Sequence, residues 1–189
     1  MSRIKRTFSS LQEQGKQALI AYLVAGVPNV ESTVSLMHLM TDKGVDILEL
    51  GVAFSDPMSE GPLIQKAHEK ALTNNVTIKE VLYIVKKFRK KDNHTPVVLM
   101  GYTNPFEAMG VDKFCSRAAA VGIDGLLLVD MPFEESSEFY KAATSRNIDI
   151  IRLVAPTTLM SPTTPVCTTP TRTFSPESSS CLATIPAVR

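Results

Sequence analysis

Three short stretches built to one pattern limit what this chain can fold into: Gly44-Val45-Asp46-Ile47, Gly122-Ile123-Asp124-Gly125 and Asn147-Ile148-Asp149-Ile150. Each sets a residue that tolerates left-handed backbone behind a helix-patterned segment, then an apolar residue, an Asp and an apolar strand. They read as serial helix-to-strand joints. Ala18 to Ala25 is a continuous apolar run of strand length broken by Gly26 and Pro28, and runs without polar alternation belong to strands covered on both faces. Strands are expected to start near residues 18, 46, 97, 124 and 149, at spacings of 28, 51, 27 and 25 residues. Helices are expected from Ile4 to about Gly15, Val30 to Lys43, Ile78 to Lys91, Val111 to Val121 and Glu134 to Arg146. The one long spacing holds an extended loop and an added helical turn at Leu63 to Leu72.

Strict alternation of strand and helix means parallel strands. An open doubly wound sheet and a (β/α)8 barrel both satisfy it, and no GxGxxG follows the first strand to favour a dinucleotide fold. Polar residues favour the barrel. Glu49, Tyr102-Thr103-Asn104 and Asp130 fall at the carboxyl ends of strands 2, 3 and 4, the end at which barrel active sites are built. Strand alternation puts Val45, Ile47 and Glu49 on one side, so Glu49 is expected to point into the barrel mouth while Leu48 and Leu50 face the helices.

Composition excludes several classes. Net charge is +1 with acids and bases interleaved, which gives neither a nucleic-acid face nor an anionic-membrane patch. The basic run Lys86 to Lys91 reads as the solvated end of a helix. Three Cys (Cys115, Cys167, Cys181) form no CxxC, and three His (His38, His68, His94) form no metal motif, so no metal or cofactor is expected. The longest apolar run is half a membrane span and no secretory h-region follows the start, so the expected location is cytoplasmic.

Past Thr158 the pattern breaks. From Leu159 to Arg189 there are five Pro, twelve Ser or Thr and three charged residues, a linker-like or disordered composition in which neither helix nor parallel strand is expected. Two segments are therefore expected: a partial (β/α) barrel over 1–158 and a Pro/Ser/Thr-rich tail over 159–189. A barrel takes roughly 250 residues and eight strands. Five strands are counted, which reads as a truncated barrel whose tail comes from a shifted reading frame or premature termination.

The segment Leu48-Glu49-Leu50-Gly51-Val52-Ala53-Phe54-Ser55-Asp56-Pro57-Met58-Ser59-Glu60-Gly61-Pro62 carries the chemistry. Two carboxylates near one cavity, one at a strand tip and one eleven residues on, suit general acid/base work, because burial and like charge bring a carboxyl pKa toward the working range. An alternative pairs Glu49 with a Lys or Arg from a neighbouring strand tip and leaves Glu60 in solvent.

Glu49 through Gln65 closely resembles the signature segment of the tryptophan synthase alpha chain family. Similar segments run in order from about residue 4 to 158: Tyr22 to Pro28, Met100 to Pro105, Asp124 to Pro132, Glu134 to Ser136, and Ala155 to Thr158. The resemblance implies a (β/α)8 TIM barrel that splits indole-3-glycerol phosphate into indole and glyceraldehyde 3-phosphate by a retro-aldol step without a cofactor. It implies Glu49 as the acid/base and the acid at position 60, here Glu60, as acceptor of the indole N–H. Tyr22, Ile64, Met100, Tyr102 and Leu127 would bind substrate. The resemblance further implies a pyridoxal-phosphate-containing beta chain as partner in an alpha2-beta2 complex, met by Asp56, Pro57 and Pro132 within the stretches Ala53 to Ser59 and Met131 to Glu135. No nucleic-acid or membrane partner is implied.

Departures from the family pattern are Glu60 in place of Asp and Ala53 in place of Pro. The extra methylene adds about 1.5 Å, against a misplacement of about 1 Å that costs about 10²-fold in rate. No residue matches the family's phosphate-holding loops after strands 7 and 8. The competing expectation is a catalytically inactive remnant that keeps at most beta-chain binding. Another phosphate-handling barrel of indole metabolism would need a catalytic Lys at a strand tip, and none of the five strands offers one.

Overall fold

A computed structural model describes residues 2–132 and 135–153, with the backbone of Leu182 and Ala183. The order is α1 (Arg3–Glu13), β1 (Ile20–Val24), α2 (Val30–Asp42), β2 (Ile47–Gly51), α3 (Pro62–Thr73), α4 (Ile78–Phe88), β3 (Val97–Gly101), α5 (Thr103–Met109), α6 (Val111–Val121), β4 (Gly125–Leu128), α7 (Ser137–Thr144), β5 (Asp149–Leu153) and β6 (Leu182–Ala183). Every strand pair is parallel, and the sheet order follows chain order from β1 to β6. A doubly wound sheet reverses its strand order at a switch point; this one does not, which is the winding of a (β/α) barrel.

The three joints form as read. Gly44, Gly122 and Asn147 take positive φ of 96°, 86° and 58°, the left-handed turn that ends a helix and starts the chain back toward the sheet. The Asp of each joint then accepts a donor at the amino end of the sheet, from a neighbouring strand or, at Asp149, from the start of α1. The Leu19 N–H donates to Asp46 Oδ2 at 2.8 Å, the Val97 N–H to Asp124 Oδ2 at 2.9 Å, and the Ser2 hydroxyl to Asp149 Oδ2 at 2.7 Å. Asp124 is buried and carries two cations as well, Arg3 Nη1 at 2.9 Å and Arg89 Nη2 at 2.7 Å.

Alternation along the strands separates two apolar layers. Leu48, Leu50, Leu99 and Leu126 face outward against helical side chains such as Val81, Ile84, Phe88 and Phe114. Ile47, Val98 and Leu127 face inward and meet Ile4, with Phe8, Met100 and Ile151 packed beside them. Ile4 and Phe8 lie on α1, so α1 covers the amino end of the inner layer.

Three expectations need correction. The basic run on α4 is not wholly solvated: Arg89 is buried, donating to the Gly122 and Thr95 carbonyls at 2.9 and 2.7 Å besides Asp124. Its charge is neutralised by an acid 35 residues away, which helix-end reasoning cannot see. Thr103 and Asn104, expected as strand-tip residues, begin α5. Pro105 reads as a breaker, yet in a first turn its missing N–H has no intrahelical acceptor to lose. In the tail, Leu182 and Ala183 pair in parallel with Arg152 and Leu153. They fall in the Pro-free stretch 177–185, and β5 presents an unpaired edge for them. The rest of the tail expectation lies outside the described residues, as do Cys167, Cys181, Phe133, Glu134 and Ala155 to Thr158.

Removing Asp124 takes the carboxylate from the buried Arg89 guanidinium, from the half-buried Arg3 and from the Val97 N–H. Asp124→Ala is expected to lower unfolding free energy by about 3–5 kcal/mol, as loss of one partner of a buried ion pair does. Urea unfolding followed by far-UV circular dichroism checks this; a loss under about 1 kcal/mol would show that the joint is not what pins the strands.

Candidate active site

Glu49 is the only ionisable residue of β2. It stands in register with Tyr22 on β1 and Val98 on β3, while Ile47, two residues earlier, lies in the inner apolar cluster. Side chains two apart share a face, so the carboxyl points inward at the carboxyl end of the strands. It is half-buried, and among the described residues no cation lies within ion-pair distance of it. Burial without a counter-charge raises its pKa above the ordinary carboxyl value. The alternative of a strand-tip ion pair is thereby set aside among the described residues.

Gly51 is on the same face, one step higher. A Cβ there would come within 2.2 Å of Tyr22 Oη, so the missing side chain is the room the phenol occupies. Tyr22 has its own pKa pushed upward, first by burial and then by Glu60, Glu49 and Tyr102. Both carboxylates thus act on one phenol, which places them around a shared mouth.

The loop over 52–61 returns Glu60 across the strand ends and is tied at three points. The Phe54 N–H donates to His68 Nδ1 at 3.2 Å, and the Ser59 N–H donates to Tyr102 Oη at 2.8 Å. Gln65 Nε2 donates to the carbonyls of Pro57 and Glu60 at 3.3 and 3.0 Å. The Tyr102 hydroxyl donates to Glu60 Oε2, and its ring stacks on Phe54 with centroids 4.9 Å apart. Glu60 is therefore held at the mouth rather than left in solvent. At β4 the Asp130 carboxylate accepts the Thr103 N–H at 2.8 Å and caps α5.

The remaining candidates divide by position. Met100 and Leu127 are register partners on the inner layer beneath the mouth. Ile64, in the first turn of α3, packs against the outer core. Tyr102 is buried with its hydroxyl committed to the loop, so it holds Glu60 directly. Asp56 is exposed and accepts the Ser55 hydroxyl at 2.6 Å; Pro57 is half-buried and Pro132 exposed, both outside the mouth. His68 and Gly51 were not singled out from the sequence. Helical spacing could have found His68, since it interrupts an apolar stripe of Ile64, Ala67 and Ala71, and a buried polar group there needs partners. A groove of about 620 Å³ at the opposite end, lined by Arg3, Arg6, Lys16 and His94 among others, contains none of the predicted site residues. Among the described residues, no group of three His, Cys, Asp or Glu is placed to hold a metal ion, and no helix is long and apolar enough to cross a membrane.

Fold and mouth together define a domain of the (β/α)8 TIM-barrel family with an acid at the carboxyl end of its second strand that has no ion-pair partner among the described residues. The family is more specific than that: a family model for the tryptophan synthase alpha chain matches residues 8–172, and this chain belongs to that family. The tryptophan synthase alpha chain of Hydrogenovibrio crunogenus is 54% identical over 158 residues, covering 84% of this chain and 58% of its own length. That of Thioalkalivibrio sulfidiphilus is 53% identical, covering 83% and 59%. The crystal structure of the alpha subunit from Legionella pneumophila superposes with a TM-score of 0.82 at 46% identity, over 84% of this chain and 60% of that one. A chain described under the tryptophan synthase a2b2 complex of Pyrococcus furiosus gives 0.70 at 41% identity, over 74% and 58%. This chain spans about three fifths of the length of these relatives.

The raised pKa of Glu49 fixes the sign of a stability change with pH. Between the ordinary carboxyl value and the raised one, the folded state holds a proton that the unfolded state has lost, so stability falls as pH rises through that window. Glu49→Gln, which keeps the shape without the charge, is expected to raise the urea midpoint at pH 7.5 and to leave it unchanged near pH 3.5. Equal midpoints for both proteins at both pH values would contradict an uncompensated carboxylate.

Proposed function

We propose that this chain carries the alpha-chain lyase chemistry: retro-aldol cleavage of indole-3-glycerol phosphate to indole and glyceraldehyde 3-phosphate in tryptophan biosynthesis. The observation that carries the reading is the inward, half-buried Glu49 with no ion-pair partner among the described residues and a raised pKa. The reaction needs a proton delivered to indole C3 and one removed from the C3′ hydroxyl as the aldehyde forms. A carboxyl group whose pKa is lifted toward neutrality can do both in turn. Glu60, fixed by Tyr102, accepts the indole N–H and stabilises positive charge on the ring, and burial of the mouth strengthens that interaction. Met100 and Leu127 supply the apolar floor beneath the indole, with Tyr22 on the wall and Ile64 behind the loop.

A beta chain is the proposed partner, met by the exposed loop around Asp56 and Pro57 and by Pro132. Met58 and Leu63 support this placement, since they are 84% and 80% exposed on the same loop and the helix start behind it. The second reading is partner binding without catalysis, which the exposure of Met58 and Leu63 on that loop accommodates equally. The barrel part is assigned to residues 1–158 and the tail to 159–189. A buried free thiol at Cys115 fits a reducing compartment, and the cytoplasm is the proposed location.

Indole release from indole-3-glycerol phosphate by the 189-residue chain mixed with a beta chain tests the reading. Glu49→Gln is expected to lower kcat by about 10²–10⁴-fold with KM nearly unchanged. Capture of the beta chain with no indole release selects the binding-only reading.

A further inference from the structure

The mouth contains one buried titratable group that the proposed chemistry does not use. His68 is 2% exposed on α3. A backbone amide can only donate, so the Phe54 N–H, 3.2 Å from Nδ1, marks that nitrogen as the unprotonated one. The hydrogen of the neutral ring is therefore on Nε2. Nε2 faces Tyr22 Oη at 3.4 Å. With the ring donating, the phenol oxygen is the acceptor and its own proton is directed away from His68. Among the described residues no protein group takes that proton. The hydroxyl cannot retreat without losing its place over Gly51, where only a glycine leaves space for it. Burial holds the imidazole below its ordinary pKa against the opposing pull of Glu60, which keeps it neutral.

We propose that His68 is a positioning residue: by donating to Tyr22 Oη it turns the phenol proton into the mouth, where it donates to an oxygen of the bound ligand. The choice of ligand rests on the lyase reading above. Indole-3-glycerol phosphate carries oxygen only on its glycerol phosphate chain, whereas the indole ring presents a donor N–H and carbon. The Tyr22 hydroxyl consequently recognises the chain, while its ring stays on the wall of the indole slot. This gives the acids and the phenol separate tasks: Glu60 reads the indole nitrogen, and Tyr22, set by His68, reads the oxygens beside the bond that breaks.

Two measurements on the 189-residue chain test this. Long-range ¹H–¹⁵N correlation resolves three imidazoles, and His68→Asn assigns one of them. At pH 7.5 the assigned ring is expected as the neutral Nε2–H tautomer; an Nδ1–H tautomer or an imidazolium overturns the proposal. Equilibrium binding is then compared for indole and for indole-3-glycerol phosphate. Asn at position 68 keeps an acceptor for the Phe54 N–H and loses the contact with Tyr22. His68→Asn and Tyr22→Phe are each expected to weaken indole-3-glycerol phosphate binding roughly threefold to tenfold, the worth of one hydrogen bond. Indole binding stays within about twofold, and the double variant binds no more weakly than either single one. Additive losses, an equal loss for indole, or no binding of indole-3-glycerol phosphate at all would each overturn it. Binding is read without turnover, so the two readings fail separately. Phenol-dependent binding without indole release counts against the lyase assignment alone, and indole release with phenol-independent binding counts against His68 alone.

Discussion

The register of β1, β2 and β3 is the constraint on which the site depends. Side chains on a strand alternate with a period of two, so a slip of one residue in β2 would turn Glu49 into the helix layer and bring Leu48 and Leu50 to the mouth. Pairing of Ile20 with Ile47, Tyr22 with Glu49 and Glu49 with Val98 prevents that slip. Burial enforces it, because Leu48 and Leu50 are fully enclosed by the helices and Ile47 by the inner cluster. Moving those apolar groups into water would cost on the order of 1.5–3 kcal/mol each. The acid is thus aimed by the packing of its apolar neighbours.

Glu49 is held differently from the acids at the other end of the sheet. At the amino end Asp46, Asp124 and Asp149 all have donors, and Asp124 holds two guanidinium groups and a strand N–H. Such acids stabilise the joints and are chemically quiet. At the carboxyl end Glu49 is left without a cation among the described residues, an arrangement that costs stability and raises the pKa. Between the two ends runs a core that α1 covers from below. The loop of 52–61 covers the mouth from above through Phe54, Ser59 and Gln65. Stability is concentrated at one end and reactivity at the other, the division that (β/α) barrels show.

Much of this was legible in the residues. Continuous apolar runs gave the five main strands, because parallel strands covered on both faces have no polar alternation to confuse with a helix. Glycine or asparagine before an apolar-Asp pair gave the joints, since left-handed backbone at a helix end has few tolerant residue types. Parity gave the direction of Glu49. What escaped was non-local. Arg89 looked like one more solvated base in a lysine run until Asp124, distant in sequence, came beside it. The short helix α5 was hidden by Pro105, a breaker everywhere except in a first turn. Leu182 and Ala183 gained a strand from the open edge of β5, not from their own composition. His68 passed as an isolated histidine because its partners, Phe54 and Tyr22, are supplied by a loop and a different strand.

The chemistry proposed for this mouth depends on the state of one carboxyl group. A ¹³C titration of the Glu49 side-chain carboxyl, assigned with Glu49→Gln, reads it directly. An inward group without a counter-ion titrates with a midpoint above the ordinary carboxyl value of about 4.3. A midpoint below that value would mean that a cation neutralises Glu49 in the folded chain, and an acid so paired could not serve as the proton carrier of this mouth.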